Sequence, residues 1–247
     1  FEMKKGVQMY AVRSICKDDL KAGLKAVSEI GYDGVEFAGF FGHSAEEVAS
    51  WLKEYGLEAL GAHVPAEEIF DHPEETIAFH RIIGNRRIIC PWFDLHTAED
   101  VELLASKFEA VVEKYHAAGM KLYYHNHSHE FAKAGGSCLI DLLAERLPAE
   151  TLSLEFDVYW VFRGGEDPLS YLRKYAGRVE IFHAKDGTET EGTAFGEGCV
   201  DTQAVCRYAK ESGYSWAVIE SEACEEPEDQ LRSIRTDYQN LCRMLGE

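Results

Sequence analysis

The sequence predicts an α/β fold, a single (β/α)8 barrel spanning residues 1–247, from its length, its regular alternation and its unbroken composition. Barrels of this kind take about 250 residues. Eight short apolar runs alternate with longer stretches of helical spacing along the whole chain. No Pro/Ser-rich linker or low-complexity stretch divides them, which favours one parallel-stranded domain. An open doubly wound sheet would need a glycine-rich phosphate turn after its first strand, and Val12-Arg13-Ser14-Ile15 supplies none.

Taken in order, the first strand is predicted over 7–13. The first helix, 18–30, has an apolar face of Ala22, Leu24, Ala26, Val27 and Ile30, closed by Gly31. The second strand covers 34–39, and Ser44 with Glu47 three residues later fits a capping box opening helix 44–54. Strand 58–64 follows, then helix 73–84, with Pro73 where a first turn begins. Strand 86–90 leads to helix 98–118. There Val101, Leu104, Phe108, Val111, Val112 and Tyr115 recur at helical spacing ahead of Gly119. Strand 121–127 pairs with helix 138–146, and strand 152–158 with helix 168–175. Strand 179–186 pairs with helix 202–212, and strand 216–221 with helix 227–245. Pro168 and Pro227 again mark first turns.

A hydrophobic fraction of 46% supplies a large core, and 28% charged residues suit a solvated surface. No apolar run approaches the roughly 20 residues that span a membrane, and the N-terminal residues lack the apolar stretch of a signal peptide. Seven scattered cysteines form no C-x-x-C pair, so reduced thiols and a cytoplasmic location are expected. A net charge of -19 repels polyanions, so nucleic acid is not an expected partner. Homo-oligomers are left open.

In a barrel, side chains at the C-terminal strand ends line the active-site mouth. Here those ends are densely polar: Glu36, His63, Tyr123 to Phe131, Glu155 and Asp157, His183 to Asp186, and Glu220 with Glu222. Alternation puts Glu155 with Asp157, His125 with His127, and His183 with Lys185 on shared faces. Buried carboxylates need partners, and one cation serves several at once. Glu130, Asp157, His183 and Glu220 fall on four successive units, so they are the expected metal ligands. Three carboxylates and one imidazole suit Mn²⁺, Mg²⁺, Co²⁺ or Zn²⁺.

The ordered set Gln8-Met9-Tyr10-Ala11-Val12-Arg13, Gly31-Tyr32-Asp33-Gly34-Val35-Glu36, His125-Asn126-His127-Ser128-His129-Glu130-Phe131, Phe156-Asp157-Val158-Tyr159-Trp160, His183-Ala184-Lys185-Asp186-Gly187 and Val218-Ile219-Glu220 resembles the xylose isomerase-like barrel superfamily. Its sugar phosphate isomerase/epimerase group is the part it is most similar to. The resemblance implies a Glu/Asp/His/Glu metal set on the last four strands, hence Asp157, His183 and Glu220. Several relatives carry the first Glu within the fifth strand, where this chain has Tyr123 and His125. Glu130 is the nearest carboxylate, with His125 or His127 as substitutes. Glu222 stands where many relatives carry Asp.

The implied activity is isomerisation or epimerisation of a sugar or sugar derivative, by proton abstraction next to a carbonyl through a metal-held enediolate. Acid–base work falls to His125, His127, Glu155 or Glu36, and Lys185 either holds a substrate oxygen or pairs with Asp186. Glu36, His63, Trp160 and Arg13 are expected to bind substrate, with Tyr10 and Phe40 as further apolar wall. For Arg13 an ion pair with Glu36 is equally suited. The Gly196-Glu197-Gly198 loop reads as a surface turn or a lid. Rival functions are a dehydratase or lyase on a keto-inositol or 3-keto-sugar, an apurinic-site endonuclease, and a non-catalytic sugar- or partner-binding barrel. The acidic charge, and the expectation of no second histidine-rich metal cluster, argue against the endonuclease.

Overall fold

Eight parallel strands close a barrel in the computed structural model, which describes residues 2–222 and 224–246. They are β1 (Lys4–Gln8), β2 (Gly34–Phe37), β3 (Glu58–His63), β4 (Arg87–Cys90), β5 (Lys121–His125), β6 (Ser153–Asp157), β7 (Ile181–Ala184) and β8 (Trp216–Ile219). Strands adjacent in sequence are adjacent in the sheet, and β8 closes on β1 with Lys4 opposite Trp216 and Val7 opposite Ile219. Parallel neighbours require crossovers, and the amphipathic helices between them supply these outside the sheet.

The barrel interior is layered by the two-residue period of its strands. Leu60, Ile89, Tyr123, Ile181, Trp216 and Val218 form a separate buried apolar cluster that fills its lower part. Two residues further along the chain come His125 of β5, His183 of β7 and Glu220 just past β8, all buried. The apolar floor thus gives way within one layer to a charged ceiling at the C-terminal mouth.

Glycines set the width of the floor. A Cβ on Gly34 would lie 2.7 Å from the carbonyl oxygen of Glu58 and 2.8 Å from the Trp216 ring. Backbone cannot yield cheaply there, so Gly34→Ala is expected to destabilise the chain by about 1–3 kcal/mol. A lower urea midpoint at unchanged slope would show it, and an unchanged midpoint would refute it.

The predicted alternation holds, with local differences that have identifiable causes. Ser44 and Glu47 form the reciprocal capping box, and Thr97 with Asp100 forms a second at helix Ala98–Ala117. The predicted strand 7–13 stops at Gln8, whose side chain accepts from the Tyr10 amide and turns Met9–Val12 into a 3-10 segment. Residues 18–30 lie in two helices, Arg13–Asp18 and Leu20–Ile30, because Asp19 is extended and caps the second. Strand 152–158 ends at Asp157, which caps a short helix, Val158–Arg163. Helix Ala66–Asp71 was not expected.

The loop containing Gly196-Glu197-Gly198 is tied down. The buried Asp186 carboxylate accepts from the backbone amides of Gly187, Gly196, Gly198 and Val200 at 2.8–3.1 Å. All seven cysteines are free thiols, and among the described residues no helix is long and apolar enough to cross a membrane.

Candidate metal centre

Two overlapping groups of donor atoms sit at the mouth. His125, Asp157, His183 and Glu220 form one, and His63, His125, Glu155 and His183 the other. Within each group the donor atoms lie within 4.8 Å of one another. The shared His183 faces both ways. Its Nδ1 lies 3.3 Å from Glu220 and 3.8 Å from Asp157, while its Nε2 lies 2.7 Å from Glu36 and 3.3 Å from Glu155.

Local structure fixes each carboxylate. Asp157 Oδ1 accepts from the Trp160 amide at 3.0 Å as a helix cap, leaving Oδ2 without a hydrogen-bond partner, 3.8 Å from His183 Nδ1. Asn126 clamps the same residue, its Oδ1 accepting from the Asp157 amide at 3.1 Å. Glu36 sits at a register shift between β2 and β3 and accepts from Gln8 Nε2 at 2.8 Å. Gly61 leaves room for it: a Cβ there would lie 3.2 Å from Glu36 Oε2. Glu155 Oε2 lies 3.1 Å from both His63 Nε2 and His125 Nδ1.

Three buried carboxylate oxygens, Glu36 Oε2, Glu155 Oε1 and Asp157 Oδ2, have no hydrogen-bond partner. Leaving acceptors unpaired in a buried site is costly, and a divalent ion would satisfy them. With protein groups alone, protons do the balancing. Burial pushes Glu155 up to about 7, reinforced by the Glu36 charge and opposed by His183 and His63. Burial also pushes Asp157 up to about 7, against Lys185 and His183. Burial would lower His63, but Glu36 and Glu155 outweigh it and raise it to about 10. For Glu36 burial acts upward, and His63 and His183 overcome it to hold the carboxyl well below its usual range. Burial and neighbouring cations keep His125 well below its ordinary value, and burial lowers His127 to about 4.

Glu130 does not join either group. Its Oε1 accepts from the Tyr124 hydroxyl at 2.8 Å, and its Oε2 from the His127 amide at 2.9 Å, with His129 3.3 Å away. Those bonds lock the turn after β5. The fifth strand reaches the cluster through His125.

Other expected site residues separate. His63, His125 and His127 line a cavity of about 930 Å³ that also contains Glu220 and Glu222. Glu36, expected to touch substrate, is fully buried and pairs with His63 and His183. Arg13 bonds Glu225 at 2.8 Å and the Cys224 carbonyl at 3.0 Å, not Glu36, because the chain has already turned into a helix. Lys185 pairs with Glu222 at 3.0 Å and Glu220 at 3.5 Å, and lies 4.8 Å from the Trp160 ring centre. Asp186 is taken up by its loop amides. Trp160 and Lys185 line a smaller pocket of about 200 Å³ that shares Glu220 and Glu222 with the large one. The expectation of no second histidine-rich cluster is corrected: His63, His125 and His183 meet in one. Gln8, Asn126 and Trp92 were missed. Gln8 was legible as a buried-strand amide at a mouth position, whereas Trp92 lies in a loop with no periodic signal.

Residues 24–237 match the family model described as xylose isomerase-like TIM barrel, and the chain belongs to that family. It is 26% identical over 198 residues to an inosose dehydratase of Lacticaseibacillus casei, covering 72% of this chain and 63% of that protein's length. It is 24% identical over 244 residues to an inosose dehydratase of Geobacillus kaustophilus, covering 81% of this chain and 79% of the relative. Its fold matches a sugar phosphate isomerase/epimerase from Parabacteroides distasonis with a TM-score of 0.84 at 18% identity, over 99% of this chain and 95% of that one. Relatives in both comparisons are named as enzymes on sugar-like small molecules.

Proposed function

We propose that this chain is a divalent-cation-dependent enzyme that removes a proton next to the carbonyl of a keto-sugar or keto-polyol and then expels a β-substituent. The carrying observation is the convergence of His125, Asp157, His183 and Glu220 within 4.8 Å at the barrel mouth, with Asp157 Oδ2 accepting no hydrogen bond. These four would hold the ion. When bound, a divalent cation polarises a carbonyl and stabilises the negative charge developing beside it. With His125 in place of Glu130 the set becomes two imidazoles and two carboxylates, which favours Mn²⁺, Co²⁺ or Zn²⁺ over Mg²⁺.

Glu36 orients His183 by accepting from its Nε2, and Gln8 holds Glu36 in turn. Glu155, poised near neutral pH but buried behind His63 and His125, takes the proton by way of these cavity-lining imidazoles. Elimination also needs an acid for the leaving group. His63, raised to about 10 and partly open to the cavity, meets that need, and the dehydratase names of the sequence relatives support the same step. Lys185 stays charged: burial disfavours the ammonium, but Glu220, Asp157 and Glu222 outweigh it. It therefore binds oxygen rather than accepting a proton. Isomerisation or epimerisation is the second reading. It needs only return of the proton by Glu155, whose position between two imidazoles would allow that.

The test incubates the chain with Mn²⁺ and a panel of ketoses, inososes and 3-keto-glycosides in D2O, followed by NMR. Deuterium at the α-carbon with loss of water or an aglycone is expected. Exchange with only a shifted carbonyl or an inverted carbon selects the second reading, and no exchange with any substrate rejects both.

A further inference from the structure

The 930 Å³ cavity is larger and more aromatic than a keto-sugar beside a cation requires. It stands near the top of the range of about 300–1,000 Å³ that encloses drug-sized ligands. Its lining combines His63, His125, His127 and Glu220 of the donor cluster with Phe40, Phe41, Phe79 and Trp92, and Glu68, His72 and Glu75 also face it. The aromatic and donor sets meet at Trp92. Trp92 meets the His127 ring edge-on at 5.0 Å, and His127 meets His125 at 5.1 Å.

Two further observations point to a flat occupant. Among the described residues five large hydrophobic side chains are exposed, and three of them, Tyr10 (45%), Phe41 (47%) and Trp92 (51%), line this one cavity. Scattered exposed hydrophobics are ordinary, but rings gathered around a cleft mark a binding surface. Phe41 is also the one non-glycine described residue with positive φ, at 52°, between Gly39 and Gly42 at 95° and 82°. A bulky residue is rarely held in that region unless the site needs it. Phe40 behind it packs on Phe37 at 4.9 Å and Phe79 at 4.3 Å, so the loop rests on a rigid aromatic base.

We infer that the substrate is a keto-sugar bearing an aromatic group, most simply an aryl 3-keto-glycoside, with its ring held in this annex. The inference rests on the function proposed above and names its leaving group. Removal of the C2 proton of such a glycoside frees an electron pair that forms the C1–C2 double bond. The bond from C1 to the aryloxy oxygen breaks, and that oxygen takes up a proton. The products are a phenol and a 1,2-unsaturated 3-keto-sugar, with no oxidant or second substrate consumed. Face or edge contacts from Trp92, Phe41 and Phe79 would favour a planar group over a methyl group.

The test uses the full chain with Mn²⁺ and two ligands, phenyl and methyl 3-keto-β-glucoside. Calorimetry reads affinity, and NMR in D2O reads exchange at C2 and aglycone release. The phenyl compound is expected to bind about tenfold or more tightly than the methyl one. Trp92→Ala and Phe41→Gly should each shrink that ratio towards one; glycine suits the left-handed backbone, so the second variant removes a ring without straining the loop. Equal affinities overturn the inference, and C2 exchange in the methyl glycoside would then leave the proposed proton abstraction standing. A phenyl preference without exchange keeps the annex and overturns the proposed chemistry. A wild-type dimer in sedimentation that Trp92→Ala dissociates, with no phenyl preference, assigns the rings to a second copy and also overturns the inference.

Discussion

Asp157→Asn and His125→Ala are each expected to weaken divalent-cation binding by more than about a hundredfold, whereas Glu130→Gln leaves it within about threefold. Loss of an outer partner of a metal ligand already costs about 10–100-fold, so loss of a ligand should exceed that. Asparagine caps helices as well as aspartate, so Asp157→Asn keeps the bond from the Trp160 amide and removes mainly the charge at Oδ2. Glu130→Gln instead disturbs the buried bonds from Tyr124 and His127, at about 1–3 kcal/mol of stability. Calorimetric titration with Mn²⁺ and Zn²⁺, beside a urea melt, separates the two effects. Metal lost from Glu130→Gln but kept by His125→Ala would restore Glu130 as the ligand.

Stabilisation by added Mn²⁺ is expected to grow between about pH 6.5 and 9 while the metal-free chain loses stability over the same interval. The sign follows from groups that bind protons more tightly when folded. Glu155 and Asp157 are raised to about 7, so the stability they lend is complete below their unfolded values and lost as pH rises through about 7. His63, raised to about 10, acts the same way, losing its contribution between its unfolded value and about pH 10. Glu36 is depressed, so its contribution disappears only at low pH, outside this interval. His127, lowered to about 4, has its full contribution in place once pH exceeds the unfolded histidine value. Each proton lost makes room for the cation, which should stabilise the chain by about 2.7 kcal/mol at a hundred times its dissociation constant. For a chain of this size that is roughly 5–11 °C in melting temperature. A metal-induced shift that is flat with pH, or larger at pH 6 than at 8.5, would contradict the assignment.

Much of this architecture was legible because barrel chemistry is written in short periods. Alternation placed Glu155 with Asp157 and His125 with His127, and the structure keeps those faces. Asp157, His183 and Glu220 meet in one donor group as their strand-end positions suggested. The differences in side-chain placement arise where the chain leaves its strand. Glu130 lies five residues beyond His125, and a 3-10 turn directs it to Tyr124 and the His127 amide. Arg13 was lost because Gln8 ended its strand early. The pairing of His63 with Glu155, distant in sequence and brought together only by closure of the sheet, had no local signal at all.

The apolar cluster of Leu60, Ile89, Tyr123, Ile181, Trp216 and Val218 has a bearing on how such a protein could change. Because that plug seals the sheet below the titrating side chains, the ring of acids and imidazoles above it is an interchangeable tier. Substitutions there alter proton affinity and ligand type without reopening the seam between β8 and β1. New reactivity can therefore be sampled by exchanging one storey of residues, on a frame that need not be rebuilt each time.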